Sequence, residues 1–416
     1  MANLVIGKRC LFSTKIHKLR AELSGWEFFT FGLTLTLPIF INHISIIAIV
    51  TKFVYFSIKR REIILPWRTS FLVLIPAYFM LCAISILYSS DYKDGVHELE
   101  KLTHFIIIPL SFSIVQYFDI RKVVEKLATG LLIGNLIVGV QFVIKYLFFD
   151  WDGNSGDNVL HSIAPLHPTY LSFFFALGII LSGTSIFKKG WVIAAKGFLI
   201  VFFSICIILL ASKLGIFFLL VSLSYIAYLI VKKLTTLLGI VFIVVVIGSL
   251  TFVAISSEVL VERFVRVLTL NFERHPVEGY NTLSGRIFFW NCAVEISQNH
   301  YMLGVGIGDA QHELDQCYSA KEPDTITPEF LDSYNVHNQF LQSLLEMGIP
   351  GLGLLLALFC TIVVKSWRKK ELIPALISLM FVAFFLFESV LARNKGIILF
   401  SSFGSMVYFW FNRYEK

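Results

Sequence analysis

The 416-residue sequence has little charge. Only 15% of its residues are Asp, Glu, Lys or Arg, while 56% are apolar. A soluble domain carries roughly 25% charged residues, so the length does not translate into two or three soluble domains. The six cysteines contain no CxxC pair, which removes the common zinc and redox signatures. No short apolar segment with a small-residue cleavage site follows the basic start MANLVIGKRCLFSTKIHKLR, so no removable signal peptide is expected. Low-complexity tracts and convincing internal repeats are also missing. The net charge of +7 raises nucleic acid as a partner. However, the lysines and arginines sit mostly in short connectors between apolar runs. That placement fits membrane topology, not a nucleic-acid surface.

What is abundant is long apolar sequence, with a mean hydropathy of +0.77. The runs predict about twelve spans, at about 26–40, 42–56, 70–88, 103–117, 127–147, 169–187, 191–210, 214–231, 235–255, 348–365, 371–389 and 396–412. In lipid each must be a helix, because backbone groups there need internal partners. The runs do not alternate, which excludes a barrel. With the N-terminus inside, every inner connector is basic. They carry Lys59, Arg60, Arg61 and Arg68; Arg121, Lys122 and Lys126; Lys188 and Lys189; Lys232 and Lys233; and Arg368, Lys369 and Lys370. The expected fold class is therefore an all-α polytopic membrane protein. It has an N-terminal bundle over 1–255, one large outer loop over 256–347 and a C-terminal bundle over 348–416, with both termini cytoplasmic.

The large loop has local patterns. NTLSGRIFFWNCAVEISQNH predicts a helix with Ser284 as its cap. SYNVH starts a second helix, and GIPGLG breaks the chain before the tenth span. GVGIG at 304–308 reads as a flexible turn, since it has neither a βαβ setting nor a following lysine. Asp309, His312, Glu313 and Asp315 read as a solvated acidic face, not a metal site. Cys292 and Cys317 share the loop, and an oxidising compartment would permit a disulfide, but their spacing does not decide whether they meet.

Several outer residues offer chemistry. His337 can exchange a proton near neutral pH, as a general base must; the alternative is an interfacial histidine bonded to a loop carbonyl. Asn338 beside it either orients a sugar hydroxyl or caps the helix. Arg286 offers a fork of donors suited to phosphate oxygens, or is a surface arginine reaching for headgroups. Lys213 interrupts IILLASKLGIFFLL at a tight outer turn with Ser212. It either anchors the turn at the headgroups or holds a diphosphate. Arg263, Arg266, Arg274 and His275 form a candidate basic rim. His161 and His167 lie in the loop before the sixth span, where the start of a helix is the ordinary explanation for His167-Pro168. His104 and Lys101, near the fourth span, have the same ordinary reading.

Three motifs together resemble the O-antigen ligase and polymerase superfamily of membrane glycosyltransferases. They are Ala211-Ser212-Lys213-Leu214-Gly215, Ser284-Gly285-Arg286 with Trp290, and His337-Asn338 followed by Glu346-Met347-Gly348-Ile349-Pro350-Gly351. The resemblance implies a GT-C-like fold in a bacterial inner membrane, with the large loop periplasmic. It implies a glycan donor on undecaprenyl diphosphate and, as acceptor, a lipid A-core sugar hydroxyl in lipopolysaccharide. No nucleotide sugar, cofactor or metal is implied. Lys213 and Arg286 would meet the diphosphate, and His337 would activate the acceptor. Asn338, Ser212, Ser284, Arg263, Arg266 and His167 are the accompanying candidates for substrate contact. Lys213 departs from the family's arginine, keeping the charge and losing the fork. A polymerase would use the same donor with another lipid-linked glycan as acceptor. From a different class, a transporter suits the span count equally well, but the expected internal repeats and midplane charges are missing.

Overall fold

A computed structural model describes residues 25–60, 71–148, 164–184, 191–233, 283–321 and 334–411, with isolated positions between 235 and 248. Among these residues all regular structure is helical. The helices are α1 (Trp26–Thr34), α2 (Ile39–Arg60), α3 (Leu74–Ser85), α4 (Tyr92–Leu102), α5 (His104–Phe112), α6 (Ile120–Leu147) and α7 (Pro168–Gly183). They continue as α8 (Trp191–Leu209), α9 (Lys213–Lys233), α10 (Leu283–Asn299), α11 (Ala310–Lys321), α12 (Gln339–Lys369), α13 (Leu372–Phe387) and α14 (Asn394–Phe411). Each expected span but the ninth coincides with a helix, sometimes continued by a 3-10 turn; most of the ninth lies outside the described residues. Among the described residues, five helices are long and apolar enough to cross a membrane: α2, α6, α8, α9 and α12. α3, α7 and α13 are apolar but shorter. α7 is buried along nearly its whole length. A helix sheathed by protein on all sides is apolar all round.

Small residues let the helices meet closely. A Cβ on Gly32 of α1 would lie 2.2 Å from the Leu127 carbonyl, and one on Gly130 of α6 would lie 2.1 Å from that of Phe29. Close backbone approach of this kind replaces the missing hydrophobic drive between helices in lipid. An aromatic cluster of Phe173, Phe218, Phe381 and Phe384 joins α7, α9 and α13. Asn135 donates to the Phe174 carbonyl at 2.7 Å, tying α6 to α7.

Contacts also tie the connectors to the bundle. Lys126 lies over Trp26, and Lys369 donates to the Phe411 carbonyl. Lys395 donates to the Leu35 carbonyl at 2.9 Å, and Leu391 donates its N–H to Gln339 Oε1 at 2.7 Å.

The described residues between 283 and 345 share a second core, built from Phe289, Ala293, Leu314, Tyr318, Val336 and Leu345. A disulfide between Cys292 and Cys317, Cα–Cα 5.9 Å, joins α10 to α11. The turn at 304–308 is not the flexible one its glycines suggested. Val305 and Gly306 donate to the Leu345 and Glu346 carbonyls at 2.8 and 3.0 Å. Ile307 and Gly308 donate to Ser85 Oγ and Ser89 Oγ, both at 3.2 Å. Gly304 and Gly306 have φ of 74° and 95°, and a Cβ on Gly304 would lie 2.4 Å from the Glu346 carbonyl carbon. The glycines serve close approach in the left-handed region, not mobility. Asp309 completes the clamp by accepting from the N–H groups of Ser90 and Asp91 at 2.7 and 2.8 Å. Among the described residues, no three His, Cys, Asp or Glu side chains gather as metal ligands would.

Candidate active site

Three connectors from distant parts of the chain meet at one carboxylate. α13 ends at Phe387, and Glu388 follows in extended conformation, 8% exposed. Arg286 Nη2 donates to Glu388 Oε1 at 3.0 Å, and His337 Nδ1 lies 3.3 Å from Glu388 Oε2. Burial opposes ionisation of this carboxyl. The hydrogen bond from His337 and the charges of Arg286, His337 and His167 outweigh it and hold the pKa at about 2. Glu388 is therefore an acceptor at any ordinary pH. The His337 proton must then sit on Nδ1. In the neutral ring this leaves the Nε2 lone pair available as a base.

Local structure fixes each partner. Arg286 lies in the first turn of α10, its guanidinium carbon 5.9 Å from the Phe387 ring centroid. His337 has φ of 50°, a strained conformation for a residue other than glycine. Its N–H donates to Asn335 Oδ1 at 3.0 Å, and its ring lies 5.8 Å from Phe289 and 6.2 Å from Tyr334. Strain of this kind collects at functional sites. Asn338 caps α12, with Oδ1 accepting from Phe340 and Leu341 N–H at 3.0 and 3.1 Å. Of the two roles open to Asn338, the cap is the one its oxygen performs here.

His167 and Ser212 also cap helices. His167 Nδ1 accepts from Thr169 N–H at 3.4 Å at the start of α7, and the ring lies within electrostatic range of Glu388, which it favours as the anion when it is protonated. Ser212 Oγ accepts from Gly215 N–H at 3.2 Å at the start of α9 and lies 3.3 Å from Thr169 Oγ1. The Lys213 turn is thereby tied to the start of α7, with Lys213 exposed. The structure thus brings His337, Arg286 and His167 around one acid and places Ser212 beside the same helix start. Ser284 belongs to the first turn of α10; its side chain lies outside the described residues, as do Arg263, Arg266, Arg274, His275 and His161. His104 keeps its ordinary reading, with Nδ1 on the Lys101 carbonyl at 3.0 Å and the ring stacked on His43.

Sequence reasoning missed Glu388. Its signal was a lone acid within the apolar run FFLFESVLA, at the end of an expected span. A charge at such a place is a functional candidate by default.

Residues 198–356, less than half of the chain, match a family model described as O-antigen ligase. The match includes Ser212, Lys213, Arg286, His337 and Asn338, and it supports an O-antigen ligase-like enzyme acting in lipopolysaccharide-related glycan transfer. His167 and Glu388 lie beyond it, so their place beside the matched residues rests on geometry alone. No curated protein matches the chain.

Proposed function

We propose that this protein moves a glycan from undecaprenyl diphosphate to a sugar hydroxyl of lipid A-core. The observation that carries this reading is Glu388, bonded to Arg286 on one oxygen and His337 on the other. Glu388 holds the His337 ring with Nε2 as the base. Nε2 takes the proton of the acceptor hydroxyl, whose oxygen attacks the anomeric carbon of the donor sugar. The bond from that carbon to the diphosphate breaks, and the lipid diphosphate leaves with its electron pair. Arg286 and Lys213 meet the charge that develops on it, the kind of fixed electrostatic support that lowers a barrier most. Holding two lipid-borne substrates at one end of the bundle adds proximity. We place that end, and the loop above it, at the periplasmic face of the inner membrane, and both termini in the cytoplasm, because the sequence pattern assigns the basic connectors to the inner side.

The test is reconstitution in vesicles with a defined undecaprenyl-diphosphate glycan, offering lipid A-core and a second lipid-linked glycan as separate acceptors. Wild type is expected to glycosylate lipid A-core, and correctly inserted His337→Ala to transfer nothing. Near-normal transfer by His337→Ala would refute the base. Elongation of the lipid-linked glycan with lipid A-core untouched would make the protein a polymerase.

A further inference from the structure

The connector from Glu388 to Arg393 is held more firmly than its length suggests. Glu388 N–H donates to the Phe384 carbonyl at 2.9 Å, which fixes the start of the connector on α13. Leu391 N–H donates to Gln339 Oε1 at 2.7 Å, two residues after His337. Tyr170 Oη donates to the Val390 carbonyl at 3.3 Å, three residues after His167. A Cβ on Gly396 would fall 1.9 Å from the same carbonyl, so the turn is packed tightly onto α14. A short segment thus touches the starts of both α7 and α12, the elements that carry His167 and His337.

That connector ends in Arg393, which is exposed and has no ion pair or side-chain hydrogen bond among the described residues. Arg286, by contrast, already serves Glu388. Arg393 and Glu388 both lie within electrostatic range of the Tyr170 hydroxyl, near the start of α7. The Lys213 turn reaches this helix start as well, through Ser212 and Thr169. In the same connector Ser389 is 4% exposed, and its Oγ has no partner. A buried hydroxyl without a partner costs free energy, which a ligand oxygen can offset.

We propose that Arg393 is a second phosphate-binding guanidinium of this site and grips the diphosphate of a polyprenyl diphosphate. The assignment rests on the glycan-transfer reading above for the identity of the lipid. Two features support it. Lys213 offers a point charge, whereas a diphosphate presents pairs of oxygens that suit a planar fork. Arg393 supplies such a fork from a backbone already held in place, so only its side chain has to be ordered on binding.

The full-length protein in nanodiscs is titrated with undecaprenyl diphosphate, with undecaprenyl monophosphate and phosphatidylglycerol as comparison lipids. Arg393→Gln is expected to weaken diphosphate binding by about tenfold or more, the usual scale for one charge-assisted hydrogen bond. Arg393→Lys should fall between Gln and wild type, because it keeps charge without the fork. Arg368→Gln, at the opposite end of α12, should bind as wild type does. Unchanged melting temperatures separate a binding role from a folding role. Equal diphosphate binding by wild type and Arg393→Gln would overturn the proposal. An equal loss for phosphatidylglycerol would also overturn it and make Arg393 a general headgroup anchor. Transfer is assayed on the same samples. Loss of binding in Arg393→Gln alongside a wild type that transfers no glycan would sink the transfer reading and leave the diphosphate site standing.

Discussion

Glu388→Gln is the sharpest perturbation, because one atom exchange acts on two partners. The glutamine retains an oxygen that can accept from His337 Nδ1. Its other position becomes an NH2 group, which faces the Arg286 donor with a donor of its own. The size of the structural effect follows from the carboxyl pKa, which lies at about 2 against an ordinary 4.5. That difference corresponds to about 3 kcal/mol of interaction favouring the charged form. The folded-state pKa is the lower one. This stabilisation is therefore present above the ordinary carboxyl pKa and is lost as pH falls through about 2. At neutral pH wild type has all of it and the glutamine variant none, so a loss of up to about 3 kcal/mol is expected. Partial solvation of Arg286, whose side chain is 23% exposed, reduces it.

The effect on transfer is separate. The amide oxygen can serve Arg286 only by turning the NH2 group to His337 Nδ1, which moves the ring proton to Nε2; Glu388→Gln then loses much of what a positioned base contributes, about 10²–10⁴-fold in kcat. The assay is single-turnover glycan transfer to lipid A-core in vesicles, at saturating donor, with insertion checked by protease protection. His337→Ala and the double variant complete a cycle. Groups that act as a unit are not additive, so the double variant should be no slower than His337→Ala alone. A kcat of Glu388→Gln within threefold of wild type, or full additivity in the cycle, would refute the dyad.

Further expectations concern the surrounding parts. Lys213→Ala should lose transfer and Lys213→Arg keep most of it, measured in the same assay; normal activity in the alanine variant would leave Lys213 an anchor. Arg286→Lys should lose both transfer and melting temperature, since one ammonium cannot copy a fork that serves Glu388 and a phosphate together. Replacing Cys292 and Cys317 by serine should destabilise the loop by about 3 kcal/mol, given their separation of 25 residues. Faster proteolysis at 283–321 would report it. Gly306→Ala should lower the melting temperature, by an amount equivalent to about 1–3 kcal/mol. Its φ is 95° and the new Cβ would lie 2.2 Å from Ser89 Oγ. Unchanged melting would mean that the 304–308 clamp yields freely.

The helices were legible because lipid forces apolar runs into one structure, and run length then does the work. The site was legible only in part. His337 and Arg286 carry side chains whose chemistry is visible in a sequence, and both reach the site. Asn338 was ambiguous for a physical reason: the oxygen that caps a helix is the same oxygen that would hold a sugar hydroxyl. GVGIG was misread because glycine marks both flexible turns and close backbone contacts. Only the neighbouring chain at Glu346 and Ser89 tells them apart. Glu388 was hidden most deeply. Its meaning depends on partners 51 and 102 positions away in the chain.

Span parity links these parts. Ser172 of α7 packs on Gly215 near the start of α9, and Gly183 packs on Ile226 further along it. The two helices therefore run in the same direction, away from the site, and α9 ends at Lys232 and Lys233. Yet Arg286, on the next described helix, is back at the site beside Glu388. We propose that the expected span at about 235–255, which lies mostly outside the described residues, makes the return crossing. Without such a crossing, a chain leaving by α9 would deliver Arg286 and His337 to the side opposite Lys213 and His167.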